Sequence, residues 1–267
     1  INAGDIIGPR MLAASLEMTV TSGLGDVRLN HLHRETFAVV ADGPEEFRRW
    51  ARFFVREGVD VLKINPSGDE GTSGSKAHMT VMTDAEVAAV AEVAVAHEKR
   101  MAAHARSAGA VKMCLRHGVD VIYHATLCDE EALDMLEAAR DRVFVAPTIG
   151  ITYSAYKEAP VRGVTLADAV KRRFDNEFVR GIDNMKALHK RGVRVLPGGD
   201  YGFAFNPMPR NARDMEHFVT LFGFTPMEAI VSATRMGGEL MASGAGPGET
   251  ERGTVELGQV KEGFLAD

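Results

Sequence analysis

Four residues whose types can do chemistry stand at or near the ends of short apolar runs: Lys63, His104, His124 and Asp200. The runs are Val61-Leu62-Lys63-Ile64-Asn65, Met101-Ala102-Ala103-His104, Val121-Ile122-Tyr123-His124 and Val195-Leu196-Pro197-Gly198-Gly199-Asp200. Polar groups at the C-terminal ends of successive parallel strands converge on one mouth of an α/β barrel. A lysine, two imidazoles and a carboxylate gathered there form a site for one or two divalent ions, and the leading chemistry is metal-assisted hydrolysis.

Each residue also has a plainer reading. His104 alone is equally a hydrogen-bonded core histidine. His124 follows one strand–helix unit later, and two consecutive strands ending in His favour metal ligation, with Zn expected and Co or Mn as substitutes. Lys63 lies inside an apolar strand, where an unpaired ammonium is costly. It reads as a carbamate that bridges two metals, as a Schiff-base amine of a lyase, or as a lysine snorkelling to a carboxylate at the mouth. Asp200 is flanked by glycines, which let backbone approach a ligand, and no regular helix follows it to be capped. It is read as metal ligand and general base.

Tyr153, His78 and Tyr201 are expected to touch substrate, with solvent exposure as the competing reading of His78. His31-Leu32-His33 has the spacing of a metal-binding pair on a strand, but the residues before it do not make a buried strand, so the segment reads as loop. The Gly-rich stretch Ser67–Ser75 lacks the Lys-Ser/Thr of a phosphate loop and reads as a mobile loop on the catalytic face.

The elements that must position these groups follow a short repeat. Glu57-Gly58-Val59-Asp60-Val61-Leu62-Lys63, His117-Gly118-Val119-Asp120-Val121-Ile122-Tyr123 and Arg191-Gly192-Val193-Arg194-Val195-Leu196 each put Gly after an amphipathic segment and before a β-branched run. That is the helix–strand junction of a parallel α/β fold. The pattern predicts strands near 10–16, 60–65, 100–105, 120–125, 142–148 and 194–199. It predicts helices near 44–57, 83–98, 107–117, 129–139, 165–191, 211–222 and 226–241. Thr83-Asp84-Ala85-Glu86 and Thr225-Pro226-Met227-Glu228 each read as a capping box.

The 267 residues, 45% hydrophobic, suffice for one large α/β domain. A net charge of −6, with both signs mixed along the chain, speaks against a nucleic-acid footprint or a polybasic membrane patch. No stretch approaches the ~20 apolar residues of a membrane span. Two cysteines, Cys114 and Cys128, make neither a disulfide framework nor a zinc spacing, so a cytoplasmic protein is expected. The expected partners are a small-molecule substrate and further copies of the chain, without nucleic acid or membrane.

The ordered set of Lys strand, His strand, His strand and Asp strand resembles the metal-dependent amidohydrolase superfamily, in its prolidase-like branch. Gly8-Pro9-Arg10, Leu62-Lys63-Ile64, His104-Ala105-Arg106, His124 with Asp129-Glu130-Glu131, Pro147-Thr148, Gly199-Asp200, Thr225-Pro226-Met227-Glu228-Ala229 and Gly253-Thr254-Val255-Glu256-Leu257-Gly258 carry the resemblance. Ser67-Gly68-Asp69-Glu70 and Gly198-Gly199-Asp200-Tyr201-Gly202 are similar to hydrolases of thiocarbamate and phenylurea herbicides.

The resemblance implies a distorted (β/α)8 barrel cleaving an amide, carbamate or urea-type C–N bond, or a related ester or thioester. It implies a carboxylated Lys63 bridging two metals, His104 and His124 on the second metal, and Asp200 on the first metal as general base. Strand one with its HxH pair and strand two have no counterpart, and Leu24 stands where relatives often place a histidine. The expectation is therefore residues 1–253 as strands 3–8 of the barrel and 254–267 as the start of a β segment. Its alternative is an inactive fragment or a subunit completed by a partner chain.

Overall fold

The computed structural model describes residues 5, 7–28, 36–70, 74–161, 163, 165, 167–242 and 257–265. Three glycines punctuate it as the repeat requires. Gly58, Gly118 and Gly192 have φ of 84°, 72° and 73°, the left-handed conformation that ends a helix without a Cβ penalty. They close helices α1 (Pro44–Arg56), α3 (Ala108–Arg116) and α6 (Asp168–Lys190). Each is followed within three residues by a strand: β3 (Val61–Ile64), β5 (Val121–Leu127) and β7 (Arg194–Val195).

Between these units lie α2 (Asp84–Ala96), β4 (Arg100–Ser107), α4 (Glu130–Ala138), β6 (Phe144–Ala146) and α5 (Ile149–Tyr153). Beyond β7 come α7 (Arg213–His217), α8 (Pro226–Val231) and α9 (Gly237–Ala242). Both predicted capping boxes form. Thr83 accepts from the Glu86 N–H while Glu86 accepts from Thr83 N, and Thr225 and Glu228 repeat the exchange. Glu86 also accepts from Gly43 N at 2.8 Å, which ties the start of α2 to the start of α1.

Seven strands form one parallel sheet in the order β2-β1-β3-β4-β5-β6-β7, where β1 is Glu17–Thr19 and β2 is Ala38–Val40. Two differences from the sequence expectation stand here. The strand expected at 10–16 lies at 17–19, and only Ala14 of the earlier stretch bridges to Val61. Met11 and Leu16 are exposed, and burial becomes continuous only at Met18. The short run Ala38-Val39-Val40 was not expected as a strand, and it pairs with β1 on the side away from β3.

Among the described residues the sheet is open, with β2 and β7 at its edges. One face packs under helices through Phe47, Leu62, Ile64, Met101, Ile122, Leu136 and Leu188, all fully buried. Strand β4 is buried at every position, as a central parallel strand must be. Cys114 and Cys128 are free buried thiols. Among the described residues no helix is long and apolar enough to cross a membrane. Of the expected terminal β segment, residues 257–265 show bends and a turn, and the rest, like the His31-Leu32-His33 pair, lies outside the described residues.

Candidate active site

Glu17 opens β1, Lys63 lies near the end of β3, His104 and His124 lie inside β4 and β5, and Thr148 and Asp200 follow β6 and β7; together they gather in one neighbourhood. The register sets the first contact. Met18 pairs with Ile64, so Glu17 and Lys63 lie side by side on the opposite face, and Lys63 Nζ stands 3.3 Å from Glu17 Oε1. Glu17 Oε2 accepts from Asn65 Nδ2 at 2.9 Å. Burial would raise the Glu17 carboxyl, but Lys63, Asn65 and His104 together hold it below its ordinary value. Lys63 Nζ also lies 4.7 Å above the Tyr123 ring.

His104 and His124 are both buried and stack edge to face, ring centroids 4.4 Å apart. His104 Nε2 lies 3.0 Å from the Gly68 carbonyl, so this nitrogen carries the proton and Nδ1 is left bare. His124 Nδ1 bonds the Thr148 hydroxyl, which itself donates to the Pro147 carbonyl. The hydroxyl therefore accepts from Nδ1–H and leaves His124 Nε2 bare. Burial pushes His104 down to about 4, with Arg106 and Lys63 acting in the same direction and Asp69 against it. His124 falls well below its ordinary value through burial, Arg106, His104 and Lys63. Both rings are neutral, the form that ligates a cation.

Arg106 organises the floor. Its Nε donates to Asp69 Oδ2 at 2.6 Å, and its Nη1 donates to Thr126 Oγ1 at 3.2 Å and lies 3.4 Å from Glu177 Oε2. Burial lowers the Asp200 carboxyl's tendency to ionise and raises its pKa; Arg106 and Lys63 oppose this and Asp69 reinforces it. Asp200 is thus a more basic carboxylate than one in water.

Backbone strain concentrates here. His124, Ala125, Thr148 and Asp200 have φ of 78°, 45°, 52° and 55°, four of six non-glycine residues with positive φ among those described. Such conformations persist where surrounding contacts over-determine them, and they cluster at functional sites. At Asp200 the over-determining group is Asn206. Its Nδ2 donates to the carbonyls of Gly199 (2.9 Å) and Asp200 (2.7 Å), and Ser154 Oγ fixes the amide orientation by donating to Asn206 Oδ1 at 3.1 Å.

The four residues expected to do chemistry thus share one electrostatic environment, while the expected substrate contacts separate. Tyr201 donates its hydroxyl to Asp214 at 2.8 Å, and Tyr153 packs against His217 and Phe178. His78 lines a cavity of about 330 Å³. Glu17, Asp69, Thr148, Glu177 and Asn206 had not been assigned roles from sequence. The strict polar–apolar alternation of Glu17-Met18-Thr19-Val20 was the signal that could have placed Glu17 on the site face.

The amidohydrolase family profile matches residues 2–243. The chain belongs to the amidohydrolase family. Ochratoxinase of Aspergillus niger is 24% identical over 291 residues, spanning 100% of this chain and 55% of that protein. Its crystal structure superposes with a TM-score of 0.81 at 22% identity, covering 100% of this chain and 60% of that one. A Xaa-Pro dipeptidase with bound methionine in its active site gives 0.78 at 25% identity, covering 100% and 63%. Phenylurea hydrolase B gives 0.53 at 17%, covering 79% and 50%, so the likeness to the herbicide hydrolases is the weaker one. The chain spans little more than half the length of the curated relatives it matches. The open parallel sheet is the counterpart of part of an amidohydrolase barrel.

Proposed function

We propose that this chain acts on an amide, carbamate or urea-type C–N bond of a small molecule, with Asp200 as the base that takes a proton from the attacking water and returns it to the leaving nitrogen. The observation that carries the reading is the pair of buried neutral imidazoles, His104 and His124, with bare nitrogens beside Lys63 and across from a carboxyl of raised basicity.

Among the described residues no three His, Cys, Asp or Glu side chains form a ready cage for an ion. The donor types fit a partial site: His104 and His124 would supply nitrogen, and Asp200 and a carboxylated Lys63 would supply oxygen. A divalent ion, Zn by preference, supplies carbonyl polarisation and easier ionisation of water. The protein supplies the rest. Arg106 fixes the field around both rings, Thr148 and Gly68 fix their tautomers, and Asn206 fixes the turn that presents Asp200.

Carboxylation of Lys63 would exchange a cation paired with Glu17 for an anion beside it, so the two states of Lys63 are coupled to Glu17. A Schiff-base role for Lys63 would take the amine out of its ion pair with Glu17. A second reading, a subunit completed by another copy, draws on the open edges at β2 and β7. Light scattering on the eluting protein separates monomer from oligomer.

The test is turnover of N-acyl amino acids, carbamates and phenylureas by the metal-loaded chain beside Asp200→Asn and a His104→Ala/His124→Ala variant. Hydrolysis lost in Asp200→Asn with metal partly retained supports the assignment. Undiminished hydrolysis in Asp200→Asn overturns the base role.

A further inference from the structure

The turn that carries Asp200 is held by two buried polar side chains of opposite kind. Asn206 donates to the carbonyls of Gly199 and Asp200. Asp214, in α7, takes up donors of the same turn and is 2% exposed. Its Oδ1 accepts the Tyr201 hydroxyl at 2.8 Å, and its carboxyl also accepts the Gly198 N–H. These donors stand on either side of Asp200 in the chain, so one carboxyl spans the turn. Burial pushes this carboxyl up to about 6, with Tyr201 and Gly198 acting against the rise, so at neutral pH it is chiefly the anionic acceptor.

The fit around the turn is close. A Cβ on Gly199 would meet the Tyr201 ring at 2.2 Å and Asp214 Oδ1 at 2.7 Å. A Cβ on Gly150, in α5, would meet the Gly199 carbonyl oxygen at 2.7 Å, so that helix abuts the same peptide. His217, also in α7, is buried with Nδ1 3.8 Å from Asp214 Oδ1, beyond a hydrogen bond, and neither of its ring nitrogens has a hydrogen-bond partner. The imidazole therefore does not compete for the carboxyl, which is left to Tyr201 and Gly198.

We propose that Asp214 is a positioning residue for Asp200, acting through Gly198 and Tyr201 to hold the strained turn that presents Asp200 at the candidate site. Asp200 has φ 55°, a conformation that persists only where surrounding contacts over-determine it. Asn206 binds the acceptors of the turn and Asp214 its donors, so neither side chain can replace the other. Tyr201 serves the site as a link in this clamp, its hydroxyl turned to Asp214. The effect on turnover rests on the reading of Asp200 as the base; the grip on the turn stands apart from it.

Residue-resolved amide hydrogen exchange and turnover of N-benzoylglycine by the metal-loaded chain test it, in the wild type, Tyr201→Phe, Asp214→Ala and the double variant. Exchange of the Gly198 amide is expected to quicken by at least ~10-fold in Asp214→Ala, and less in Tyr201→Phe, while β4 amides keep their wild-type rates. In Asp214→Ala kcat is expected to fall ~10–100-fold with KM within a few-fold. The double variant should be no worse than Asp214→Ala, because the hydroxyl then has no partner left to lose. A Gly198 amide unmoved in Asp214→Ala overturns the proposal, as does a loosened turn with full kcat, which would leave Asp214 a purely structural role. A loosened turn in a chain whose wild type hydrolyses nothing supports the clamp and counts against the hydrolase reading. An unmoved turn beside an active wild type overturns the clamp and leaves the hydrolase reading standing.

Discussion

Lys63 Nζ and Glu17 Oε1, 3.3 Å apart on adjacent parallel strands, form an ion pair at the candidate site. A neighbouring carboxylate disfavours a second anion, such as a carbamate, beside it. Replacing Glu17 with Gln removes that bias while keeping an oxygen near Asn65. The expected outcome is a stronger ¹³C carbamate resonance in Glu17→Gln than in the wild type after equilibration with ¹³C-bicarbonate. Identical signals would show that Glu17 does not govern Lys63.

How much of this was legible beforehand follows from period and from distance along the chain. The Gly58, Gly118 and Gly192 junctions and both capping boxes are local patterns, and each is found in place, whereas β4 and β5 run three residues past His104 and His124, which were expected at strand ends. The β1 strand was displaced because Met11-Leu12-Ala13-Ala14 is apolar without being buried, whereas Met18 is buried within a polar alternation. Three-residue β2 is too short to show a period. Glu17, Asp69, Glu177 and Asn206 act through partners 37 to 71 positions away, or through backbone carbonyls, as in Glu17–Lys63 and Arg106–Asp69. Side-chain type alone does not reveal such pairings, nor the left-handed backbone at Asp200.

Thr148 fixes the tautomer of His124, and partners of metal-ligating histidines tune ligand strength. Thr148→Val keeps the side-chain shape and removes the hydroxyl. Zn or Co(II) affinity, read by competition with a chelating dye, is expected to fall by ~10–100-fold. Unchanged affinity would mean that His124 does not ligate.

Asn206 holds two consecutive carbonyls, those of Gly199 and Asp200, and is itself 1% exposed. Asn206→Ala leaves these acceptors and the Ser154 hydroxyl without it, at a stability cost of about 1–3 kcal/mol. The turn at Asp200 then relaxes from φ 55°, and kcat is expected to drop while KM stays within a few-fold. Lowered stability with full kcat would separate the clamp from the positioning of Asp200.

Glu177 makes a signed prediction about pH. Its carboxyl titrates near 4.5 in an ordinary environment and near 7 here, chiefly because it is buried. From about pH 4.5 upward the unfolded chain releases a proton that the folded chain keeps. The stability that Glu177 contributes is thus fully present below about pH 4.5 and is lost as pH rises towards 7, by on the order of 3 kcal/mol at most. Glu177→Gln cannot titrate and lacks this slope. Urea midpoints of both proteins at pH 5, 6, 7 and 8 isolate the term, because other buried acids such as Asp120 and Asp214 are common to both. The wild type should lose stability relative to Glu177→Gln between pH 5 and 7, and the difference should level off above. Parallel pH profiles would show that Glu177 is already ionised in the folded chain.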